Sequence, residues 1–366
     1  MRPYDFLIVG AGLFGAVFAA EAVKRGKKCL VIDRRPHIGG NCYTEDDGGI
    51  TVHRYGAHIF HTSDREVWEY VNAYGEFMPY VHCPLANYRG RLYHLPFNMD
   101  TFHALWGVVT PEEAKGKVAA QRIPCEQPQN AKERALSLVG RDIYETLIEG
   151  YTEKQWGRSA DKLPASLIER LPLRFTYDNN YFNDRYQGIP AGGYTPMIER
   201  MLKGAEVRLG CDFSADRCAL EKLAERVLFT GAIDEYFGYC NGPLEYRSLS
   251  FDTKRLPVED FQGTAVVNYT DRSVPYTRII EHKHFDGNCS APGTVITYEY
   301  PEAWSLGRER FYPVGDIPNR ARYQGYLRLA EERKDVIFGG RLGLYRYLDM
   351  DDVVKEALAF ARRYLD

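Results

Sequence analysis

An α/β fold, in which a doubly wound nucleotide-binding unit is interrupted by a helical insertion and joined to an antiparallel sheet, is predicted by three features of the sequence. The first is the apolar run Phe6-Leu7-Ile8-Val9, which ends in Gly10-Ala11-Gly12-Leu13-Phe14-Gly15 and is followed by a helical stretch and a second apolar run. The second is helical periodicity with charged faces from roughly 100 to 170, broken by Pro111, Pro124, Pro128 and Pro164. The third is a change between about 241 and 312 to β-branched and aromatic runs separated by Gly, Pro and Asp turns.

Taken in order, residues 6–9 form a strand, 16–24 a helix with small residues, and 28–33 a second strand, together a βαβ unit. Residues 64–75 read as a short helix before the longer helical stretch. Thr264-Ala265-Val266-Val267-Asn268-Tyr269 and Thr294-Val295-Ile296-Thr297-Tyr298 are strands of the antiparallel sheet. Val227-Leu228-Phe229-Thr230-Gly231 and Asp335-Val336-Ile337-Phe338-Gly339-Gly340-Arg341 each run a strand into a glycine turn. Val353, Val354, Ala357, Leu358 and Ala361 then mark the inner face of a closing helix.

The composition excludes several function classes. Its 366 residues suit two or three structural units. Lys and Arg total 47 against 50 Asp and Glu, so no positive field draws nucleic acid or an anionic membrane, and an anionic ligand must be held by local arginines. No apolar stretch reaches the length of a membrane span, which predicts no membrane insertion. The eight cysteines form no CxxC pair and no zinc-ligand spacing, nothing at the start reads as a leader, and reduced thiols in a cytoplasmic protein are expected. His58 and His61 have HxxH spacing but no third ligand in a recognisable motif, so no metal is expected. His282 and His284 alternate as neighbours at exposed positions of a strand would.

The glycine pattern carries chemistry because of its context. Gly10 permits a tight turn, Gly12 admits a pyrophosphate to the backbone, and Gly15 lets helix and strand pack closely, while the helix N-terminus supplies donors to the phosphates. Asp33, 18 residues after Gly15, closes the second strand where it can accept from a ribose. A second glycine pair in Arg34-Arg35-Pro36-His37-Ile38-Gly39-Gly40-Asn41, with the late Gly339-Gly340-Arg341 turn, suits a long dinucleotide held along several backbone segments. FAD is therefore favoured over a transient nicotinamide, on a Rossmann-like domain of the two-dinucleotide-binding type.

With these motifs the chain resembles the prokaryotic UDP-galactopyranose mutases almost end to end. The likeness is carried by Val9 to Gly15, Gly39-Gly40-Asn41, Tyr55-Gly56-Ala57-His58-Ile59-Phe60-His61-Thr62, Leu95-Pro96-Phe97-Asn98, Gly150-Tyr151-Thr152-Glu153-Lys154-Gln155-Trp156-Gly157, Asn179-Asn180-Tyr181-Phe182, Tyr276-Thr277-Arg278-Ile279-Ile280-Glu281 and Gly340 to Met350. Ala57 stands where the family often has proline, and His82 where an asparagine near the substrate is frequent.

The resemblance implies an FAD-binding domain from 1–76, 191–240 and 313–366, a helical domain at 98–170 with a mobile loop near 160–175, and an antiparallel sheet domain from 77–97, 171–190 and 241–312. It implies FAD contacts from Gly10, Gly12, Leu13, Phe14, Gly15, Asp33, Arg34, Gly39, Gly40, Asn41, Tyr55, His58, Ile59, Gly340, Arg341, Tyr347, Asp349 and Met350. The segment Tyr55 to Thr62 is placed beside the flavin, with His58 as a backbone-ordering or N5-proximal residue.

A nucleotide sugar needs an aromatic platform, guanidinium forks and hydroxyl donors. Tyr151 and Trp156 resemble the family's uridine contacts, with Asn268 reaching the base or ribose. Arg170, by resemblance on the mobile loop, and Arg278 from the sheet would clamp the diphosphate; Arg174 competes with Arg170, and Arg247 adds charge nearby. Tyr181, Tyr312 and Tyr347 complete the phosphate shell, and His82 joins the substrate site.

The implied activity is interconversion of UDP-galactopyranose and UDP-galactofuranose, supplying galactofuranose for surface glycans, through a covalent adduct of the sugar with N5 of reduced flavin (FADH−). An external reductant such as NAD(P)H and a homodimer accompany it. The N-terminus of the closing helix, near residues 347–353, is expected to face the N1/O2 edge of the flavin. The alternatives are an FAD-dependent oxidoreductase of the amine-oxidase type and a non-catalytic flavoprotein that binds a nucleotide sugar.

Overall fold

A computed structural model describes residues 2–168, 173–287 and 289–365. Five parallel strands lie in the order Glu206–Leu209, Cys29–Asp33, Tyr4–Val9, Ala224–Phe229 and Val336–Phe338. Leu7, Ile8, Leu30 and Ile32 are fully buried, as a parallel sheet covered on both faces requires. One face packs on the helices Leu13–Lys24, Tyr194–Leu202 and Met350–Leu365, through Phe14, Val17, Ile198, Val354 and Leu358. Residues Leu7, Phe213, Phe229 and Tyr236 fill the other face. Gly15 permits the first of these contacts, because a Cβ there would run into the carbonyl oxygen of Gly10.

A seven-stranded sheet follows the order Tyr312–Pro313, Tyr246–Leu256, Thr294–Ala303, Arg278–Glu281, Val266–Tyr269, Leu85–Tyr88 and Arg91–His94. It is antiparallel except that Val266–Tyr269 runs parallel to Leu85–Tyr88. That exception arises because the outer hairpin, 85–94, is a distant segment added to the edge of a meander.

The helical layer comprises Met99–Trp106, Pro111–Gln121, Ala131–Val139 and a run from Arg141 to Trp156 that contains a π-helical turn at Tyr144–Ile148. Its starts are encoded locally. Asn98 with Thr101, and Thr110 with Glu113, form reciprocal capping boxes, and Pro111 takes the first helical position. Phe102, Val118, Ile143 and Leu147 form its core together with Ala86 and Tyr93 of the hairpin.

Residues 282–285 are a short 3-10 helix rather than a strand, and His282 is 1% exposed. The strand stops at Glu281, whose buried carboxylate accepts the Phe261 and Gln262 amides and the Thr294 hydroxyl. These bonds draw the chain inward, and His282 donates to or accepts from Thr297 at 2.8 Å instead of meeting water.

Candidate active site

The ends of the parallel strands, the seven-stranded sheet and the helical layer enclose a cavity of about 1670 Å³. That exceeds the usual pocket for one small ligand and leaves room for two in line.

One end is backbone. Gly10 has a φ of +110°, and a Cβ there would strike the Thr230 hydroxyl. Gly12 bridges Gly39, and a Cβ on Gly40 would come within 3.0 Å of Gly12 Cα, so the two glycine turns touch. Asp33 accepts the Ala11 amide on one oxygen and the Arg35 amide on the other, both at 2.9 Å. Its carboxylate is thereby fixed while lone pairs remain for a ribose. Glu309 ties Arg34 and Arg35 to the sheet across this end, and Arg35 also reaches Asn41 at 3.0 Å. Adjoining glycine turns, exposed amides at a helix start and a fixed carboxylate fit a dinucleotide cofactor.

Every residue expected to contact FAD lines this cavity, from Gly10 and Gly12 through Tyr55, His58 and Ile59 to Gly340, Arg341, Tyr347, Asp349 and Met350. His58 Nδ1 lies 2.8 Å from the Gly56 carbonyl, so that nitrogen carries the hydrogen and Nε2 is left bare. Its amide donates to His53 Nδ1 and its carbonyl accepts the Tyr194 hydroxyl. Burial brings the His58 imidazole down to about 4, so it is neutral at pH 7. The closing helix begins at Met350; Met350, Asp352 and Val353 face the cavity, so its amides arrive with an acidic first turn.

The other end is made of side chains. Arg278 and Glu299 are partners across the antiparallel ladder, and Nε and Nη2 of the arginine each lie 2.9 Å from Glu299 Oε2. Glu299 is fully buried, whereas Arg278 faces the cavity. Burial opposes the guanidinium charge, but the Glu299 carboxylate outweighs it and holds Arg278 above its ordinary range. Tyr151, Trp156, Tyr181, Tyr312 and Tyr347 line the same end, with Tyr312 stacked on Tyr347. Tyr181 and Tyr347 are 41% and 60% exposed because the cavity itself reaches them. Protein nevertheless surrounds both closely enough that desolvation raises their hydroxyls, and burial pushes Tyr151 up to about 12. His82, buried in the wall, is brought down to about 3 by burial and then by the charges of Arg278 and His61.

Two expected residues, Arg247 and Asn268, stand outside the cavity lining. Arg170 lies outside the described residues. Arg247 is buried away from the cavity, where Nε donates to the Gln155 carbonyl at 2.8 Å and Nη2 to that of Lys154. It satisfies carbonyls that the helix end leaves open, beside Gly157, so it serves the helix and adds no charge to the site. Asn268 is not part of the cavity wall, although it pairs with Arg278 across the ladder and its Oδ1 is buried without a partner. Arg174 is likewise engaged elsewhere, donating to the carbonyls of Asn180 and Phe182.

Glu299, Gln155 and Lys154 were not singled out from sequence. Gln155 lines the cavity with a buried, unpartnered Oε1. Lys154 donates to the carbonyls of Tyr269, Val274 and Tyr276 at 2.7, 3.0 and 2.9 Å, binding the helix of Tyr151 to the loop that leads into Arg278. A lone acid in the strand Thr297-Tyr298-Glu299-Tyr300 was the available signal for Glu299. Among the described residues one group of side chains has metal-ligand spacing, Asp260, Glu281 and His284, but Glu281 is already saturated and none of the three borders the cavity.

Comparison with known proteins agrees with this architecture. Residues 146–347 match the family profile described as UDP-galactopyranose mutase, and residues 8–74 match that of an NAD(P)-binding Rossmann-like domain. A probable UDP-galactopyranose mutase of Klebsiella pneumoniae is 41% identical, covering 100% of this chain and 96% of the relative. A dTDP-fucopyranose mutase of Escherichia coli is 40% identical over 98% of each chain. A solved structure of reduced UDP-galactopyranose mutase shares the fold with a TM-score of 0.75, covering 99% of this chain and 95% of that one at 15% identity. A glycine-built dinucleotide cradle, an ion-paired guanidinium in the same cavity and these full-length matches lead to one conclusion: the chain belongs to the UDP-galactopyranose mutase family.

Proposed function

We propose that the protein interconverts UDP-galactopyranose and UDP-galactofuranose, with FAD in its reduced form as cofactor. The observation that carries this reading is that Arg278, half-buried and paired with Glu299, faces the same cavity as the glycine turns, so a diphosphate and a flavin would share one cavity. When bound, the reduced cofactor supplies a nucleophilic ring nitrogen, N5, at the anomeric carbon.

The chain's own residues do the rest. Glu299 fixes two nitrogens of the Arg278 fork and leaves Nη1 for a diphosphate oxygen, where it stabilises the charge of the departing UDP. Tyr181, Tyr312 and Tyr347 donate hydroxyl hydrogens to the remaining phosphate oxygens. Tyr151 and Trp156 give the base a flat platform, and the unpaired amide oxygen of Gln155 suits the imide N–H of uracil. Neutral His58 keeps the turn beside the flavin in shape without adding charge. Arg170 is proposed as the second arm of the diphosphate clamp. The reading takes an external reductant such as NAD(P)H, a cytoplasmic setting and a homodimer.

The 40% identity to a dTDP-fucopyranose mutase supports a second reading, the same ring exchange on a dTDP-6-deoxy sugar. Both are tested by incubating the purified protein with UDP-galactofuranose, and separately with dTDP-fucofuranose, with and without dithionite. Conversion of the UDP sugar only after reduction is expected. Equal turnover by the oxidised protein would end the proposal, and turnover of the dTDP sugar alone would replace it with the second reading.

A further inference from the structure

The cavity wall holds a second pair of ionisable side chains. His61 Nδ1 lies 2.7 Å from Asp184 Oδ2, and the Ser63 hydroxyl donates to the other oxygen of that carboxylate at 2.8 Å. Both His61 and Asp184 face the cavity. The His61 ring is stacked on Phe182, with centroids 3.7 Å apart and planes 16° apart, and His82 also stacks on Phe182. His82 and His61 thus share the Phe182 ring, and both line the cavity that Arg278 faces. Arg278, His82, His61 and Asp184 all line the one cavity, so a sugar attached to a diphosphate on Arg278 would have this wall within its reach.

We propose that His61 carries the proton that the ring exchange moves between two oxygens of the sugar, with Asp184 as the positioning residue that orients its imidazole. This rests on the mutase reading. In the exchange the C1–O5 bond breaks and a C1–O4 bond forms. The electron pair of the broken bond stays on O5, which gains a proton. O4 supplies the pair for the new bond and loses its proton. Nothing is oxidised or reduced, and one group that gives a proton at O5 and takes one at O4 closes the balance. A carboxylate only accepts, so His61 Nδ1 keeps its hydrogen and Nε2 is the atom that loads and unloads.

The other side chains at this end are poorly suited. His58 and His82 sit at about 4 and about 3, too weakly basic to hold a proton at neutral pH. Burial makes the hydroxyls of Tyr151, Tyr181 and Tyr347 too weakly acidic, and Arg278 stays charged. Asp351, whose carboxyl is raised by burial, bonds to Thr62 and lies close enough to feel the His61 charge. Asp349 and Asp352 belong to the start of the closing helix. His61 is the imidazole in this wall backed by a carboxylate.

The test uses the full FAD-loaded enzyme. His61→Gln is expected to lower kcat for UDP-galactofuranose by about 100-fold or more, while the UDP Kd of the oxidised protein changes by no more than about twofold. The limb of the kcat–pH profile that reports the carrier disappears in His61→Gln, and in Asp184→Asn it moves to lower pH. The His61 imidazole signals, followed by NMR in the oxidised protein, move with it. Should His61→Gln fail to retain FAD, Asp184→Asn, which keeps the shape, decides the matter. A kcat for His61→Gln within about threefold of the unmodified enzyme, or an unmoved limb in Asp184→Asn, overturns the proposal. If the unmodified reduced enzyme leaves UDP-galactofuranose unchanged, the mutase reading fails instead, and that failure is separate.

Discussion

The two ends of the cavity are built from different materials. The nucleotide end is backbone: turns at 10–15 and 39–41 that touch at Gly12, Gly39 and Gly40, where no side chain intervenes, and Asp33 held by two amides. The sugar end is side chains brought from the helical layer, the edge segments and the seven-stranded sheet. Substitution at the first end therefore acts by steric exclusion of the cofactor. At the second it acts by stranding a charge or removing a hydrogen bond, and leaves the cradle intact.

The largest break in that comparison comes from Gly15→Val. Its Cβ meets the Gly10 carbonyl, so helix and strand must separate, and the protein is expected to purify without a yellow chromophore. Next, Arg278→Ala is expected to keep its FAD absorbance yet lower kcat/KM by about three orders of magnitude, because the diphosphate loses its guanidinium, and to lower stability by about 3–5 kcal/mol, because Glu299 is left buried without its ion-pair partner. Adding Glu299→Gln is expected to restore the melting temperature and not the activity, which separates stranded charge from lost chemistry.

Acid probes the same contrast. His53, His82 and His282 are buried and His58 is half-buried, and desolvation holds all four below the ordinary imidazole range, His58 at about 4 and His82 and His282 at about 3. Below about pH 6.5 the unfolded chain takes up protons that the folded one refuses, so each histidine removes up to about 1.4 kcal/mol per pH unit. That loss ends near pH 4 for His58 and near 3 for His82 and His282, once the folded protein binds the same protons. None of the four belongs to the parallel sheet: His282 bonds to Thr297 of the seven-stranded sheet, His53 stacks on Phe285 beside it, and His58 and His82 border the cavity. Hydrogen exchange at pH 5 is expected to open the seven-stranded sheet before the parallel one. The smallest effect is that of Arg247→Met, expected to cost about 1–3 kcal/mol in urea unfolding through the unsatisfied carbonyls of residues 154 and 155, with a smaller change in UDP affinity than Arg278→Ala produces.

The same division governs what the sequence could reveal. Strand, glycine turn and helix at the nucleotide end are contiguous, and φ and steric demands select the residue types, so Gly10, Gly12, Gly15 and Asp33 could be assigned roles from spacing alone. Arg247 and Arg278 look alike in sequence, each inside a β-rich run. Their separation depends on which strand lies alongside: Arg278 meets Glu299 across the ladder, whereas Arg247 meets the open end of a helix. Likewise His282 reads as one of two alternating strand residues until the buried Glu281 carboxylate ends the strand before it. The Asp184 partner of His61 is 123 positions away and has no local signature.

The order of the parallel sheet also has a consequence for biosynthesis. Its central strand, 4–9, leaves the ribosome more than 300 residues ahead of the neighbour two places away, 336–338, and of the helix 350–365 that packs on the first helix. At roughly 5–20 residues per second, the earliest segment waits on the order of 15–70 seconds for its covering layer. The apolar flank of residues 13–24 is uncovered throughout that wait, so chaperone occupancy on stalled nascent chains should concentrate there. Cofactor capture then waits for the late segment 340–353 that completes the cavity wall.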